Sequence, residues 1–214
     1  GNVRSKTEFL YKDSNTGLAT RLGVPDAKID DDAPLMRQDT FRKGTLAWGN
    51  SGVGALTGTN GTLQSKTFFQ GSVAGEEIND YSYSFGSNGA RLRQTTISYY
   101  GTGKVRATDA VGKDLAMTLQ RTFKGDAILA MDQITKAQEQ LKEDIKDGAT
   151  DGEIRADTRN LNILTAAFDH SLRSITFFIG DVNEEKADQS VSFSANGNVR
   201  SKTEFLYKDS NTGL

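Results

Sequence analysis

The side chains that carry most enzymatic and metal chemistry are scarce in this sequence. Cysteine is absent and His170 is the only histidine, which excludes sites built on thiolates or on two imidazoles. His170 stands beside Asp169 near the end of a helical pattern and reads as a structural or solvated side chain. Asp13-Ser14-Asn15-Thr16-Gly17 has the alternation of oxygen-bearing residues that opens a calcium loop, because a hard cation takes several oxygen ligands from one tight turn. Asp13 and Asn15 are therefore candidate calcium ligands. The twelfth position, where a bidentate glutamate would close such a loop, is Val24, and the same residues equally make an ordinary Asx turn. Asp30, Asp31 and Asp32, with Asp26 nearby, form a second candidate cation cluster in an acidic loop before Pro34. No other cofactor is implied.

Two adjacent carboxylate pairs, Glu76-Glu77 and Glu184-Glu185, look like acid/base partners only at first sight. Neighbouring residues in a strand point to opposite faces, so neither pair could flank one bond from a strand; turns are their natural place. The glycine runs Gly49 to Gly54 and Gly101 to Lys104 do not complete a GxxxxGK[ST] phosphate loop, and their flanks read as strand on both sides. Tyr81, Tyr83, Tyr99 and Tyr100 could stack on sugars or bases, but their alternation fits the inner face of strands. No catalytic residue emerges, and the chain reads as non-enzymatic.

The elements that carry these residues are organised by duplication. GNVRSKTEFLYKDSNTGL, Gly1 to Leu18, recurs without change as Gly197 to Leu214, with starts 196 residues apart. Self-similarity at a fixed period marks a tandem architecture. A more diverged repeat lies inside the period: LQSKTFFQG (Leu63 to Gly71) matches LRSITFFIG (Leu172 to Gly180), and DYSYSFGSNG (Asp80 to Gly89) matches DQSVSFSANG (Asp188 to Gly197). Arg93 to Tyr100 then matches Arg200 to Tyr207, and Asp114 to Gly125 resembles Ala33 to Gly44. Alternating serines and aromatics in Tyr81 to Phe85 have the period of a half-buried strand, and Asn88-Gly89 and Asn196-Gly197 are hairpin signals. Thr67 to Phe69 and Thr176 to Ile179 put apolar groups on both faces, the pattern of strands covered on two sides.

Two segments stand outside the repeat. Thr45 to Thr62 is a glycine-rich connector carrying the single tryptophan, Trp48. In 126–171, Ala130, Ile134, Ala137, Leu141 and Ile145 recur at helical spacing after the cap Asp126, and Ile154, Leu161, Leu164 and Phe168 recur after the cap Asp151. The fold class is therefore mainly β: tandem antiparallel β-hairpin or meander units with an inserted helical hairpin. The expected organisation is 1–44 as the end of one β unit, entered in mid-hairpin, and 45–62 as connector. A second β unit follows over 63–125, the helical insert over 126–171, and the start of the first unit over 172–214.

A net charge of −2 provides no broad basic face for nucleic acid, and no apolar run reaches membrane-spanning length. With 22 glycines and 2 prolines the composition suits short strands and tight turns. The blocks YSYSFGSNGARLRQTT and VSFSANGNVRSKTEF resemble the hairpin units of YD-repeat arrays, and more closely the aromatic-rich β repeats of very large bacterial surface or secreted proteins. That resemblance covers the two β units. It implies an extracellular or cell-surface scaffold, adhesin or sheath, and no catalytic residues. Repetition itself points to a structural unit of an extended array or filament assembling head to tail, its partners being neighbouring repeats or chains, since stacked units bury faces that a single unit cannot. The alternative is an adhesin module that presents the connector or the helices to a glycan or protein.

Overall fold

The computed structural model describes residues 2–45, 47–48, 56–57 and 61–207. Its strands are β1 (Asn2–Lys12), β2 (Ala19–Arg21), β3 (Leu35–Thr45), β4 (Ala47–Trp48), β5 (Leu56–Thr57), β6 (Thr62–Gln70), β7 (Ile78–Phe85), β8 (Leu92–Tyr100), β9 (Val105–Arg106), β10 (Met117–Lys124), β11 (Leu172–Ile179), β12 (Lys186–Phe193) and β13 (Val199–Glu204). A single turn of helix, α1 (Ala107–Ala110), precedes β10, and α2 (Ala127–Asp147) and α3 (Asp151–Ser171) separate β10 from β11. Eleven strands form one antiparallel sheet in the order β13-β12-β11-β10-β8-β7-β6-β3-β1-β2, with β9 against β8, while β4 and β5 pair separately. The glycine run Gly49 to Gly54 and the last seven residues of the second copy lie outside the described residues, as does the side chain of Trp48.

Cross-strand partners share a face, so the register sorts the sheet into two chemistries. One row runs Gln38, Thr67, Ser82, Thr96, Thr122, Ser174, Ser192, Ser201. Its hydroxyls bond to one another where they meet: Thr96 to Thr122 at 3.1 Å and Ser192 to Ser201 at 2.6 Å. The neighbouring row, on the other face, runs Arg37, Phe68, Tyr81, Ile97, Arg121, Ile175, Val191, Lys202. Phe68 stacks on Tyr81 with ring centres 4.5 Å apart, and Tyr81, Tyr83 and Phe85 continue edge to face. The alternation of serine with aromatics thus sets a polar face against an aromatic one.

The helices cover only part of the aromatic face. Ile97, Phe123 and Ala127 are buried together, with Ile128, Met131 and Phe168 packed around them, and Phe123 stacks on Phe168 at 4.7 Å. A second small core joins Tyr100 to Ala107 and Ala110. Elsewhere the strands are half-buried, including Thr67 to Phe69 and Thr176 to Phe178, and Ile179 is exposed. The expectation that these strands are covered on two sides therefore fails in their half-burial; among the described residues α2 and α3 pack around Ile97 and Phe123, and α1 packs against β6, β7, β8 and β9. In β1 the inward residue is Leu10, while Phe9 faces out, because Leu10 lies opposite Arg37 in the aromatic-face row.

Asp126 caps α2 by accepting from the Leu129 amide at 3.0 Å, and Gly148 ends it in the left-handed conformation. The cap of α3 is Thr150 instead of Asp151, for Thr150 and Glu153 close a reciprocal capping box. Ile134, Leu141, Leu161 and Leu164 are half-buried where the helices meet, but Ile145 points to solvent and Asp144 takes its place on the stripe. The Asn-Gly turns also differ in detail. Each loop is longer than a two-residue hairpin, and the glycine N–H closes a four-residue turn, Gly89 on Gly86 O at 2.9 Å and Gly197 on Ser194 O at 3.0 Å. Gly89 has φ +72°, and a Cβ there would come within 2.9 Å of the Leu63 nitrogen, so turn and packing both require glycine.

Candidate functional site

The candidate cation ligands are placed apart in their roles. Asp13 is buried, and its carboxylate accepts from the amides of Asn15 (2.8 Å) and Thr16 (3.2 Å), the geometry of an Asx turn. Asn15 contributes that amide. The Ser14 amide bonds to Lys28 O at 2.8 Å and its hydroxyl donates to Asp30, so the structure brings Asp30 to the loop while Asp31 and Asp32 stay in the following turn. Among the described residues no three His, Cys, Asp or Glu side chains converge as a metal cluster.

The glutamate pairs have a role their spacing did not reveal. Glu77 accepts from the Leu35 amide at 2.6 Å and from the Gly75 amide at 2.8 Å. Glu185 accepts from the Met117 amide at 2.9 Å. Leu35 and Met117 are the first residues of β3 and β10, so the second glutamate of each pair caps the opening of a neighbouring strand. Each lies in or just after the turn between its flanking strands, as the sequence reading placed it.

The buried carboxylate of Asp80 is equally occupied. Arg106 donates from Nε (2.9 Å) and Nη2 (2.6 Å) to one oxygen of Asp80, and its guanidinium lies 6.0 Å from the Tyr81 ring centre. Arg121 lies 5.3 Å from the ring centre of Tyr99. Tyr83 donates to Asp126 at 2.9 Å and thereby steadies the α2 cap. Burial, then the hydrogen bond and charge of Asp126, raise the Tyr83 phenol above its ordinary value. Burial, then the charges of Glu185 and Asp80, raise Tyr100, whose hydroxyl donates to Asn79 O at 2.6 Å. The four tyrosines are packing and hydrogen-bonding groups here. His170 is exposed, with Nδ1 2.7 Å from Ala166 O. Gly101 to Lys104 turns between β8 and β9.

What the fold does leave open is strand edge. In β8 both edges are filled: Thr96 lies opposite Ser82 of β7 and opposite Thr122 of β10. The duplicated strand appears twice, each time with half of that arrangement. In β13, Thr203 lies opposite Ser190 of β12, and the outer edge has no partner among the described residues. In β1, Thr7 lies opposite Thr40 of β3, and on its other edge β2 meets only Leu10 to Lys12. The register irregularities fall at matching places, between Ser84 and Phe85 and between Ser192 and Phe193, between Thr122 and Phe123 and between Thr40 and Phe41. Edges of this kind recruit strands.

No family model, curated protein or solved structure matches this chain.

Proposed function

We propose that the chain is a structural unit of an extended array, scaffold or sheath, whose sheet runs on from copy to copy through the duplicated strand. The observation that carries this reading is the complementarity of the two half-filled edges. What β13 lacks, β1 has in β3; what β1 lacks, β13 has in β12. Joining them gives one strand flanked as β8 is flanked. The contact is head to tail, and a heterologous contact propagates unless its rotation closes a ring. The strand comes from either copy: β1 takes the place of the preceding β13 on β12, or β13 takes the place of the following β1 on β3. The wider expectation of a surface or extracellular, non-enzymatic protein belongs to the same reading.

The absence of cysteine permits a clean test. Directly opposite residues in an antiparallel pair have Cα atoms about 4.5–5.5 Å apart, within disulfide reach. Ser5→Cys with Ser192→Cys reports β1 on a neighbour's β12, and Thr40→Cys with Thr203→Cys reports β13 on a neighbour's β3. Neither pair is adjacent within one chain, because β1 and β3 lie at the opposite end of the sheet from β12 and β13. Mild oxidation should give a ladder of linked chains with at least one pair. Monomers only, or equal linking when Val191→Cys replaces Ser192→Cys, would refute the register.

A further inference from the structure

The two ends of the strands carry opposite charge. Where β1, β6 and β11 end, the loops hold Asp13, Asp30 to Asp32, Glu76, Glu77, Asp181, Glu184 and Glu185, which outnumber the basic Lys28 among them and Lys104 in the turn after β8. At the opposite end, where β8 and β11 begin and β10 finishes, a cleft of about 750 Å³ is lined by Arg91, Arg93, Lys124 and Arg173. No carboxylate lines it, and none of the four is ion-paired among the described residues. The nearest acid in sequence, Asp126, is already engaged by Tyr83 and the Leu129 amide. From this geometry we infer that the cleft is a binding site for a multiply charged oxyanion, a phosphate or sulfate group carried on a small molecule or a polymer.

The frame is built before a ligand arrives. The Gly86 amide bonds to Arg91 O at 2.8 Å and the Gly125 amide to Arg93 O at 2.9 Å, fixing two walls. Thr95, fully buried, donates to Gly125 O at 2.6 Å and holds that wall from below. The third wall is Arg173, half-buried, whose Nη1 donates to the carbonyls of His170 (3.2 Å) and Leu172 (3.0 Å). A guanidinium pinned in this way loses little further freedom on meeting an anion, and its fork matches two oxygens at once. Four cations around one space repel one another, and an anion relieves that repulsion. Among the described residues no aromatic ring lines the cleft, so they offer no stacking platform for a base or a sugar ring; charge and oxygen geometry are what they recognise. Its volume exceeds a single ion and accommodates two linked charged groups. The inference does not depend on the array reading.

Inorganic pyrophosphate is the first probe, titrated into the full chain and followed by backbone amide NMR at constant ionic strength. Saturable shifts are expected at Gly86, Arg93 and Gly125. Arg93→Gln with Lys124→Gln should weaken binding about tenfold or more, the scale of losing one or two charge-assisted hydrogen bonds, while its thermal unfolding in the absence of ligand stays that of the parent. Lys28→Gln with Lys104→Gln, at the other strand end, should bind as the parent does. A heparin-type sulfated polysaccharide and its isolated disaccharide then separate the sources: much tighter binding per site by the polymer assigns a polymeric ligand, and equal binding assigns a free small anion. Shifts that stay linear, or that are unchanged by Arg93→Gln with Lys124→Gln, would overturn the inference.

Discussion

Thr95 is the residue on which the join between sheet and helices most depends, and its replacement by valine isolates why. The side chain is wholly buried; its hydroxyl donates to Gly125 O at 2.6 Å and accepts from the Ala127 amide at 3.1 Å. Ala127 opens α2 and is itself buried in the core beside Ile97 and Phe123. Valine keeps the shape, so no cavity forms, but leaves a carbonyl and an amide unsatisfied at about 1–3 kcal/mol each. The added methyl returns about 1 kcal/mol, leaving a loss of about 3 kcal/mol. At roughly 2–4 °C per kcal/mol for a chain of this length, the midpoint should fall by roughly 10 °C. Thr95→Ser keeps both bonds and loses one methyl, about 1 kcal/mol. Urea unfolding gives the two values, and hydrogen exchange at Ala127 and Ile128 shows whether the helix start loosens first. If Thr95→Val is as stable as Thr95→Ser, the two hydrogen bonds do not hold the helices to the sheet.

The strand-capping glutamates should rank by the bonds they make. Glu185→Ala removes one charged acceptor, at about 1.5–3 kcal/mol, and Glu77→Ala removes two, so urea midpoints should fall further for Glu77→Ala, and the reverse order would contradict the capping role. Alkali should also unfold the protein. Tyr83 and Tyr100 have phenols raised above their ordinary value chiefly by burial, so the stability they contribute is complete below the unfolded value near about 10 and is lost as pH rises through it. Urea midpoints measured between about pH 8 and pH 11 should hold and then decline, and a flat profile would show that neither phenol is protected.

The sheet was legible because its information is local. Serine alternating with tyrosine from Tyr81 to Phe85 dictates one aromatic and one polar face wherever the strand is placed, and Asp126 and Gly148 bracket α2 with their own backbone geometry. What was hidden depends on partners distant in sequence. Leu10 faces inward because β3 sets Arg37 opposite it, and nothing between Val3 and Lys12 says so. Glu185 finds the Met117 amide 68 residues away, so its pairing with Glu184 in the sequence was misleading as chemistry though correct as a turn. Thr150 outcompetes Asp151 as a cap because Glu153 can answer it, a difference of one residue that propensity alone does not resolve. The basic cleft was the least visible of all. Arg91, Arg93, Lys124 and Arg173 come from one turn and three strand ends, and a net charge near zero conceals their concentration at one end of the sheet.

The array and the cleft constrain each other. In the proposed continuation β13 of one copy and β1 of the next are a single strand, so each period contributes eight strands to the sheet path, from β1 through β3, β6, β7, β8, β10 and β11 to β12. At roughly 4.8 Å between strands, a period advances roughly 38 Å. The cleft therefore recurs at that spacing along one end of the strands. The junction carries a thinner version of it. By register Arg200 stands where Arg93 stands and Arg42 where Lys124 stands, but Gln64 occupies the place of Arg173. A polymer bearing charged groups along its length would then meet a strong site in every period and a weaker one between, and linked weak contacts gain by effective concentration what each lacks alone. A free small anion would gain nothing from the array. Polymer binding that strengthens with chain assembly, while pyrophosphate binding does not, is thus what the two readings require together, and it ties the direction in which the sheet grows to the direction in which its ligand runs.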